Sequence, residues 1–421
     1  MANHVHKMRE LCEIKSSKRI FAADYKPEGV PFYRGKEISE KFRGNLDVST
    51  ELFIDREKFE KIRIKFGAPV AGDLLLTSVG TLGSPYVVNE GEEFYFKDGN
   101  LTWFRNFKHL DSWFLYYWLQ SPEGKAEQKK CTIGSSQSAY TIVLLKEMEI
   151  SLPPLITQRK IATILSAYDD LIENNLRRIK ILEEMAQNLY REWFVKFRFP
   201  GHQQAHFTNS PLGPIPEGWE ATTIGNVTSY ISRGLSPRYD DSSSSVVINQ
   251  KCIRGHKLDL GFARRHSSRI APEKYLHFGD ILINSTGIGT LGRVAQVYTA
   301  LSDTTVDTHV SIVRPQSSED IDYLGLALMD MESHFDLLGA GATGQTELRK
   351  DRISETEIIL PPLDLRNGFS SMVAPIRRLG ISLLAKNTTL RRTRDLLLPR
   401  LISGEVDVSE LDITVPDVAE A

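Results

Sequence analysis

Three short motifs occur twice in this chain, in the same order and at almost the same separation. Gly72-Asp73 recurs as Gly279-Asp280, 207 residues on. Ser135 to Ser138 recurs as Thr343 to Thr346, and Leu152-Pro153-Pro154-Leu155 recurs as Leu360-Pro361-Pro362-Leu363, both 208 residues on. An offset that stays this constant marks a tandem duplication, so the 421 residues form two related domains and not one large core. Upstream the halves diverge, although Phe32 to Ile38 still aligns loosely with Val247 to Ile253.

The second copy contains Gly287, Gly289 and Gly292 in the spacing of a dinucleotide-phosphate loop. That chemistry needs a strand leading in and a helix leading out, because the free N–H groups of the helix hold the phosphate. Asp280 to Asn284 reads as the strand, but Arg293 to Tyr298 alternates and carries β-branched residues, which predicts a second strand. The first copy, with Gly80 and Gly83, is two residues shorter and loses the triple-glycine spacing. A hairpin turn survives that deletion and a phosphate cradle does not.

Each Leu-Pro-Pro precedes a helical pattern. In the first, Ile161, Leu165, Tyr168, Ile172, Asn175, Ile179, Leu182, Ala186, Leu189 and Trp193 alternate by fours and threes, the a/d seam of a coiled coil. In the second, Phe369, Val373, Ile376, Gly380, Leu383, Asn387, Leu390, Arg394, Leu397 and Leu401 take the equivalent places. Pro375, Gly380 and the polar Arg394 weaken that seam, so the second helix is expected to bend or to start late. Each seam holds one Asn, either a buried register-setting residue or one reaching solvent. A run from Gln158 to Phe197 is about 60 Å of helix at ~1.5 Å per residue, and such a rod cannot bury its seam alone. The two helices are natural partners, and antiparallel pairing would make them a spacer with one domain at each end.

The expected fold is therefore α+β: two tandemly duplicated α/β domains separated by two long helices pairing as an antiparallel coiled coil with pseudo-two-fold symmetry. The division is residues 1–152, first domain; 153–200, central helix; 201–215, linker; 216–360, second domain; 361–404, distal helix; and 405–421, acidic tail.

Composition narrows the function. The tail has six acidic residues and no Lys or Arg, and removing them from the formal net charge of −2 leaves +4 on residues 1–404, which permits DNA binding without demanding it. Cys12, Cys131 and Cys252 are far apart with no C-x-x-C spacing, which speaks against a disulfide framework or a cysteine zinc site. His202 and His206 have an i, i+4 spacing but sit in a linker without an acidic partner, so no metal is expected. No apolar run has the length of a membrane span and the N-terminus lacks a secretion signal, which makes the cytoplasm the expected location and no membrane partner expected.

The stretches "ELCEIKSSKRIF…GVPFYRGKEI", "LPPLITQRKIATILSAYDDLIENNLRRIKILEEMAQNLYREWF", "PIPEGWEATTIGNV" and "LLLPRLISGEVDV" resemble the specificity subunit of type I restriction-modification systems, in the family's order and over nearly the whole chain. The resemblance implies a non-catalytic subunit that reads a bipartite asymmetric target on double-stranded DNA. It also implies docking of two adenine methyltransferase subunits and of restriction subunits, with S-adenosylmethionine, ATP and Mg held by those partners and no cofactor here. Two other classes compete. A coiled-coil scaffold for protein partners would not need duplicated α/β domains, and a self-sufficient DNA methyltransferase would need an Asn-Pro-Pro-Tyr type motif that the chain lacks.

Basic residues beside aromatics suit phosphate and base-edge contact. In the first domain Lys15, Lys18, Arg19, Arg34, Lys36, Lys41 and Arg43 cluster with Tyr25, Phe32 and Tyr33. In the second, Asn249, Gln250 and Lys251 align with that region, and Asn and Gln pair bidentately with adenine. Arg233, Arg238, Arg254, Arg264 and Arg265 are phosphate candidates. Ser78, Thr81, Ser285 and Thr286 on the hairpins, with the repeated Gln137 and Gln345, form a third group.

Overall fold

The computed structural model describes residues 4–45, 48–134, 138–339 and 347–415. They form two compact units, Met1–Arg177 with Lys386–Ala421 and Arg178–Ala385. Each unit thus takes part of both long helices, α1 (Leu155–Tyr190) and α2 (Leu363–Ile402).

The first unit contains β1 (His4–Lys7), β2 (Glu13–Lys15), β3 (Val30–Tyr33), β4 (Leu74–Thr77), β5 (Pro85–Val87), β6 (Tyr95–Phe96), β7 (Leu101–Arg105) and β8 (Glu149–Leu152). β1 pairs with β8, the order β2-β7-β4-β5 makes an antiparallel sheet, and β3 pairs in parallel with β6. The second unit contains β9 (Glu220–Thr223), β10 (Thr228–Arg233), β11 (Val246–Ile248), β12 (Ile281–Asn284), β13 (Val294–Gln296), β14 (Thr304–Val306), β15 (Val310–Pro315) and β16 (Glu357–Leu360). The same three pairings return: β9 with β16, the sheet β10-β15-β12-β13, and β11 in parallel with β14. The α+β class and the duplication read from the sequence are both present.

The Gly-Asp motif opens the hairpin strand of each sheet. Gly72 (φ +86°) and Gly279 (φ +93°) take the left-handed turn that a Cβ disfavours. The Asp that follows accepts a bond from the backbone three residues earlier, Val70 N at 3.0 Å or His277 N at 2.8 Å. The glycine run joins β12 to β13, and its counterpart joins β4 to β5; both are antiparallel hairpins, as their sequence context requires.

Both Leu-Pro-Pro motifs end a strand and start a helix by one device. The carbonyl of Pro154 accepts from Thr157 N and Gln158 N, and that of Pro362 from Leu365 N and Arg366 N. Proline lacks the N–H that a first helical turn leaves unsatisfied, so it is tolerated there. Gln158 and its counterpart Arg366 then reach back to the carbonyls of Pro153 and Pro361. The expected late start of α2 is therefore corrected: the helix runs unbroken from Leu363, held by buried Phe369 and Val373, both ahead of the one N–H lost at Pro375.

Within the first unit the helices run antiparallel. Lys160 Nζ donates to the carbonyls of Ser409 and Leu411 at 2.6 and 2.8 Å, Asp169 pairs with Arg394, and Asn175 Nδ2 donates to Asn387 Oδ1 at 2.8 Å. Asn387 is buried and also donates to Ile172 O at 3.2 Å. The polar Arg394, which seemed to weaken the seam, carries a cross-helix ion pair. Ile161, Leu165, Ile172, Ile179 and Leu383 are buried, whereas Leu182, Leu189, Leu390 and Leu397 are half-buried. Within the second unit Tyr190, Trp193 and Phe194 pack around Phe369, where the end of α1 widens into a π turn, Arg191–Val195. Val408, in the acidic tail, is buried in the first unit's core.

Candidate nucleic-acid interface

In each unit a strand end, a capping residue and a helical turn lie against the glycine hairpin. In the first unit β3 ends at Tyr33 and Arg34 caps an eight-residue helix, Gly35–Phe42. A Cβ on Gly35 would stand 3.8 Å from the Val79 carbonyl, so the helix start abuts the hairpin turn. Arg34 Nη2 donates to Glu37 Oε1 at 2.8 Å, and Glu37 returns the contact to Arg34 N at 2.8 Å. Burial alone would raise the Glu37 carboxyl, but the bonds and charge of Arg34 outweigh it and hold the group below the usual carboxylate range. A base or phosphate that engages Arg34 must compete with that partner.

Tyr33 stacks on Phe94 with ring centroids 4.6 Å apart. Lys41 turns inward: its Nζ is 2.7 Å from Glu92 Oε1 and about 5 Å from the centroids of both Tyr33 and Tyr86. Lys36 on this helix and Arg43 at its C-terminal cap are exposed and carry no ion pair among the described residues. Thr81 is exposed on the hairpin turn.

In the second unit β11 ends at Ile248 and Asn249 caps a short turn, Gln250–Cys252. Asn249 Oδ1 accepts from Lys251 N at 2.9 Å and its Nδ2 donates to Phe262 O at 2.6 Å, so its amide is committed to the fold. Gln250 is differently placed. Its Nε2 would lie 3.0 Å from a Cβ on Gly287, and its Oε1 has no hydrogen-bond partner among the described residues. Lys251 and Arg254 are exposed beside it. Thr286 Oγ1 lies 2.5 Å from His309 Nδ1, a pairing that nothing in the sequence signals because the residues stand 23 apart.

Several of the candidates sit elsewhere. Ser78 and Ser285 are buried, with hydroxyls 2.7 Å from Thr102 and 2.6 Å from Ser311; these bonds tie sheet strands together and correct the reading of both hydroxyls as DNA contacts. Phe32 is fully buried for the same kind of reason, as a strand residue facing the core. Arg233 is corrected too: it pairs with Glu347 and donates to Leu348 O at 2.9 Å, bracing the sheet from inside the unit. Lys15 lies along Trp103 and reaches Phe66 O. Lys18 and Arg19 stand apart from the helix Gly35–Phe42, at a cleft described below. Arg238 is exposed, near Ser267 and Ser268. Arg264 lies on the exposed ring of Tyr239 at 3.4 Å, an aromatic partner that sequence reasoning missed, and Arg265 donates to Ser243 O at 2.7 Å. Gln137 and Gln345 lie outside the described residues.

The surrounding chemistry is inert. Burial pushes the thiols of Cys131 and Cys252 up to about 11 and that of Cys12 to about 12, so they stay protonated at neutral pH. His202 Nδ1 faces the Phe199 carbonyl at 2.9 Å. Among the described residues no helix is long and apolar enough to cross a membrane.

Residues 3–184 match the family model of the type I restriction modification DNA specificity domain. The type I restriction enzyme MjaIX specificity subunit of Methanocaldococcus jannaschii is 26% identical, over 81% of this chain and 79% of its own. The chain is thus similar to type I restriction enzyme specificity subunits over most of its length, and its residues 3–184 match their DNA specificity domain. The HindI specificity subunit of Haemophilus influenzae is 23% identical, over 62% of this chain and 70% of its own. The crystal structure of the type I S subunit from M. genitalium shares the fold, with a TM-score of 0.57 at 16% identity, over 99% of this chain and 96% of that one. Each unit presents one capped turn beside one hairpin.

Proposed function

We propose that this subunit reads a bipartite, asymmetric sequence on double-stranded DNA, one part with each unit, and brings methyltransferase and restriction subunits to that site. The observation that carries the reading is divergence at matched positions of one scaffold. The capping residue is Arg34 in one unit and Asn249 in the other, and the residue that follows is Gly35 or Gln250. A scaffold kept twice with different groups at the same place suits two different half-sites. In the first unit Lys36 and Arg43 supply phosphate contacts; in the second Lys251 and Arg254 do so, and the Gln250 side chain, whose Oε1 is buried without a partner among the described residues, rotates outward to meet adenine.

Apolar side chains left exposed on the helices support partner docking: Leu171, Ile181 and Met185 on α1, and Leu379, Leu384 and Leu396 on α2, each at least 41% exposed. Two adenine methyltransferase subunits are the proposed occupants, bringing S-adenosylmethionine, while restriction subunits bring ATP and Mg. The cytoplasm, where the DNA is, is the proposed location. The test is reconstitution of the chain with its methyltransferase partner, followed by a genome-wide map of N6-methyladenine. A two-part motif with an unread gap supports the proposal; a single uninterrupted motif, or methylation independent of this chain, ends it.

A further inference from the structure

The sheet register places Ser16 of the first unit and Arg233 of the second at the same point. Lys15 lies opposite Trp103 and Ser232 opposite Ile312, so Ser16 and Arg233 are the next residues on matched strands. The surroundings match as well. Tyr140 N donates to Ser78 O at 3.0 Å, as Leu348 N does to Ser285 O at 2.9 Å. Val79 bridges to Ala139 as Thr286 does to Glu347.

In the second unit this place is filled. The Arg233 guanidinium donates to Leu348 O and, at 3.5 Å, to Ser285 O, and pairs with Glu347. In the first unit the short Ser16 takes the place of Arg233 and Ala139 that of Glu347, and among the described residues a cleft of about 560 Å³ lies there, lined by Ser16, Ser78, Asp98, Thr102 and Tyr140. No described side chain donates to the Ser78 carbonyl. Lys18 and Arg19 line the same cleft, both exposed; Lys18 has no ion pair among the described residues and lies over the Phe66 ring, and Arg19 meets Asp98 at 2.8 Å.

We infer that this cleft is a nucleotide-binding subsite of the first unit, taking the amine-bearing base of one DNA nucleotide; the inference rests on the DNA-reading function proposed above. The floor that in the second unit holds a planar N–H donor, a guanidinium, is suited in the first to another planar N–H donor, the exocyclic amine of adenine or cytosine. The cations beside it favour the attached phosphate and repel an arginine side chain. The volume exceeds that of a base, so entry needs no opening of the sheet. The second unit has closed its copy of the subsite with Arg233, which makes the two units unequal readers.

The probes are dAMP, dCMP and dTMP, measured by ligand-observed NMR on the full-length chain. Saturable binding of dAMP and dCMP, at least fivefold stronger than of dTMP, is expected. Ser16→Arg with Ala139→Glu transplants the brace of the second unit and should abolish the signal. Arg233→Ser with Glu347→Ala should open the second cleft and raise the binding capacity, which keeps the test decisive if the first variant fails to fold. No binding to the native chain, binding unchanged by both variants, or preference for arginine amide over the nucleotides overturns the inference. Duplex binding by the chain with its methyltransferase partner, measured in parallel, separates the two failures. Duplex bound without nucleotide binding removes the subsite alone, and no duplex bound removes the function on which it rests.

Discussion

The first hairpin strand of each unit begins with the same Gly-Asp pair, yet the two aspartates are locked differently. Asp280 meets Arg314 through two bonds of 2.7 and 2.8 Å, a buried bidentate ion pair. Arg105 holds the equivalent strand position in the first unit but turns to Glu13 and the Trp103 ring, and Asp73 takes a neutral donor, Trp103 Nε1, at 2.8 Å. Burial raises the Asp73 carboxyl above its usual range, outweighing the bonds from Val70 and Trp103 and the charge of Arg105. Duplication has therefore kept the turn while exchanging its chemistry. The same freedom appears at Ser16 and Arg233, where one unit has an opening and the other a brace.

The largest expected effect breaks that comparison at its stronger lock. Asp280→Ala takes the bidentate partner from the half-buried Arg314, which keeps its bonds to the Glu273 and Tyr275 carbonyls, and leaves His277 N unpaired; it should cost the second unit about 3 kcal/mol, the low end for a broken buried pair. Asp73→Ala removes a carboxylate that burial already disfavours and leaves Trp103 Nε1 and Val70 N unpaired, a loss nearer 1–3 kcal/mol. Hydrogen exchange in the two sheets, followed by mass spectrometry, reads each unit separately; equal losses would mean that the two locks do not differ in kind.

Next in size is the seam. Asn387→Ala leaves Asn175 and the Ile172 carbonyl without their partner and should destabilise the first unit by about 1–3 kcal/mol. The double replacement Asn175→Leu with Asn387→Leu removes both polar groups and should be close to neutral in urea unfolding. A double variant as weak as the single one would show that the pair does more than satisfy itself.

The interface residues give the smaller effects. Gln250→Ala should relax one base position in the second half of the target, by about 1–3 kcal/mol, and leave the first half intact. Lys36→Ala should weaken all sequences alike and lower the salt slope of binding by about 1. Salt titrations on matched and single-mismatch duplexes separate the two; a sequence-dependent effect of Lys36→Ala would move it from phosphate to base.

What the sequence made legible was local. Gly-Asp, Leu-Pro-Pro and the heptad spacing work through neighbours three or four residues away, so the hairpins, the helix starts and the duplicated fold can be read from the chain. The late start expected of α2 was misjudged because Pro375 costs a single bond, while Phe369 and Val373 anchor the helix through tertiary packing. At the interface the residue types were visible but their partners were not. Arg233 looks like any exposed cation until Leu348, more than a hundred residues away, takes its guanidinium. Ser78 and Ser285 sit at glycine turns, yet face inward because side chains alternate along a strand. The cleft of the first unit is written in two small residues, Ser16 and Ala139, which carry no signal until the register sets them against Arg233 and Glu347.

The central claim is that the two units read DNA independently, and exchange of Met1 to Leu152 for the same region of a relative tests it most directly. Leu152 ends β8, where the domain gives way to the helix. The hybrid would be assembled with its methyltransferase partner and its N6-methyladenine mapped across a genome. A new first half-site joined to the original second half-site is the predicted result. A motif altered in both halves would contradict the account.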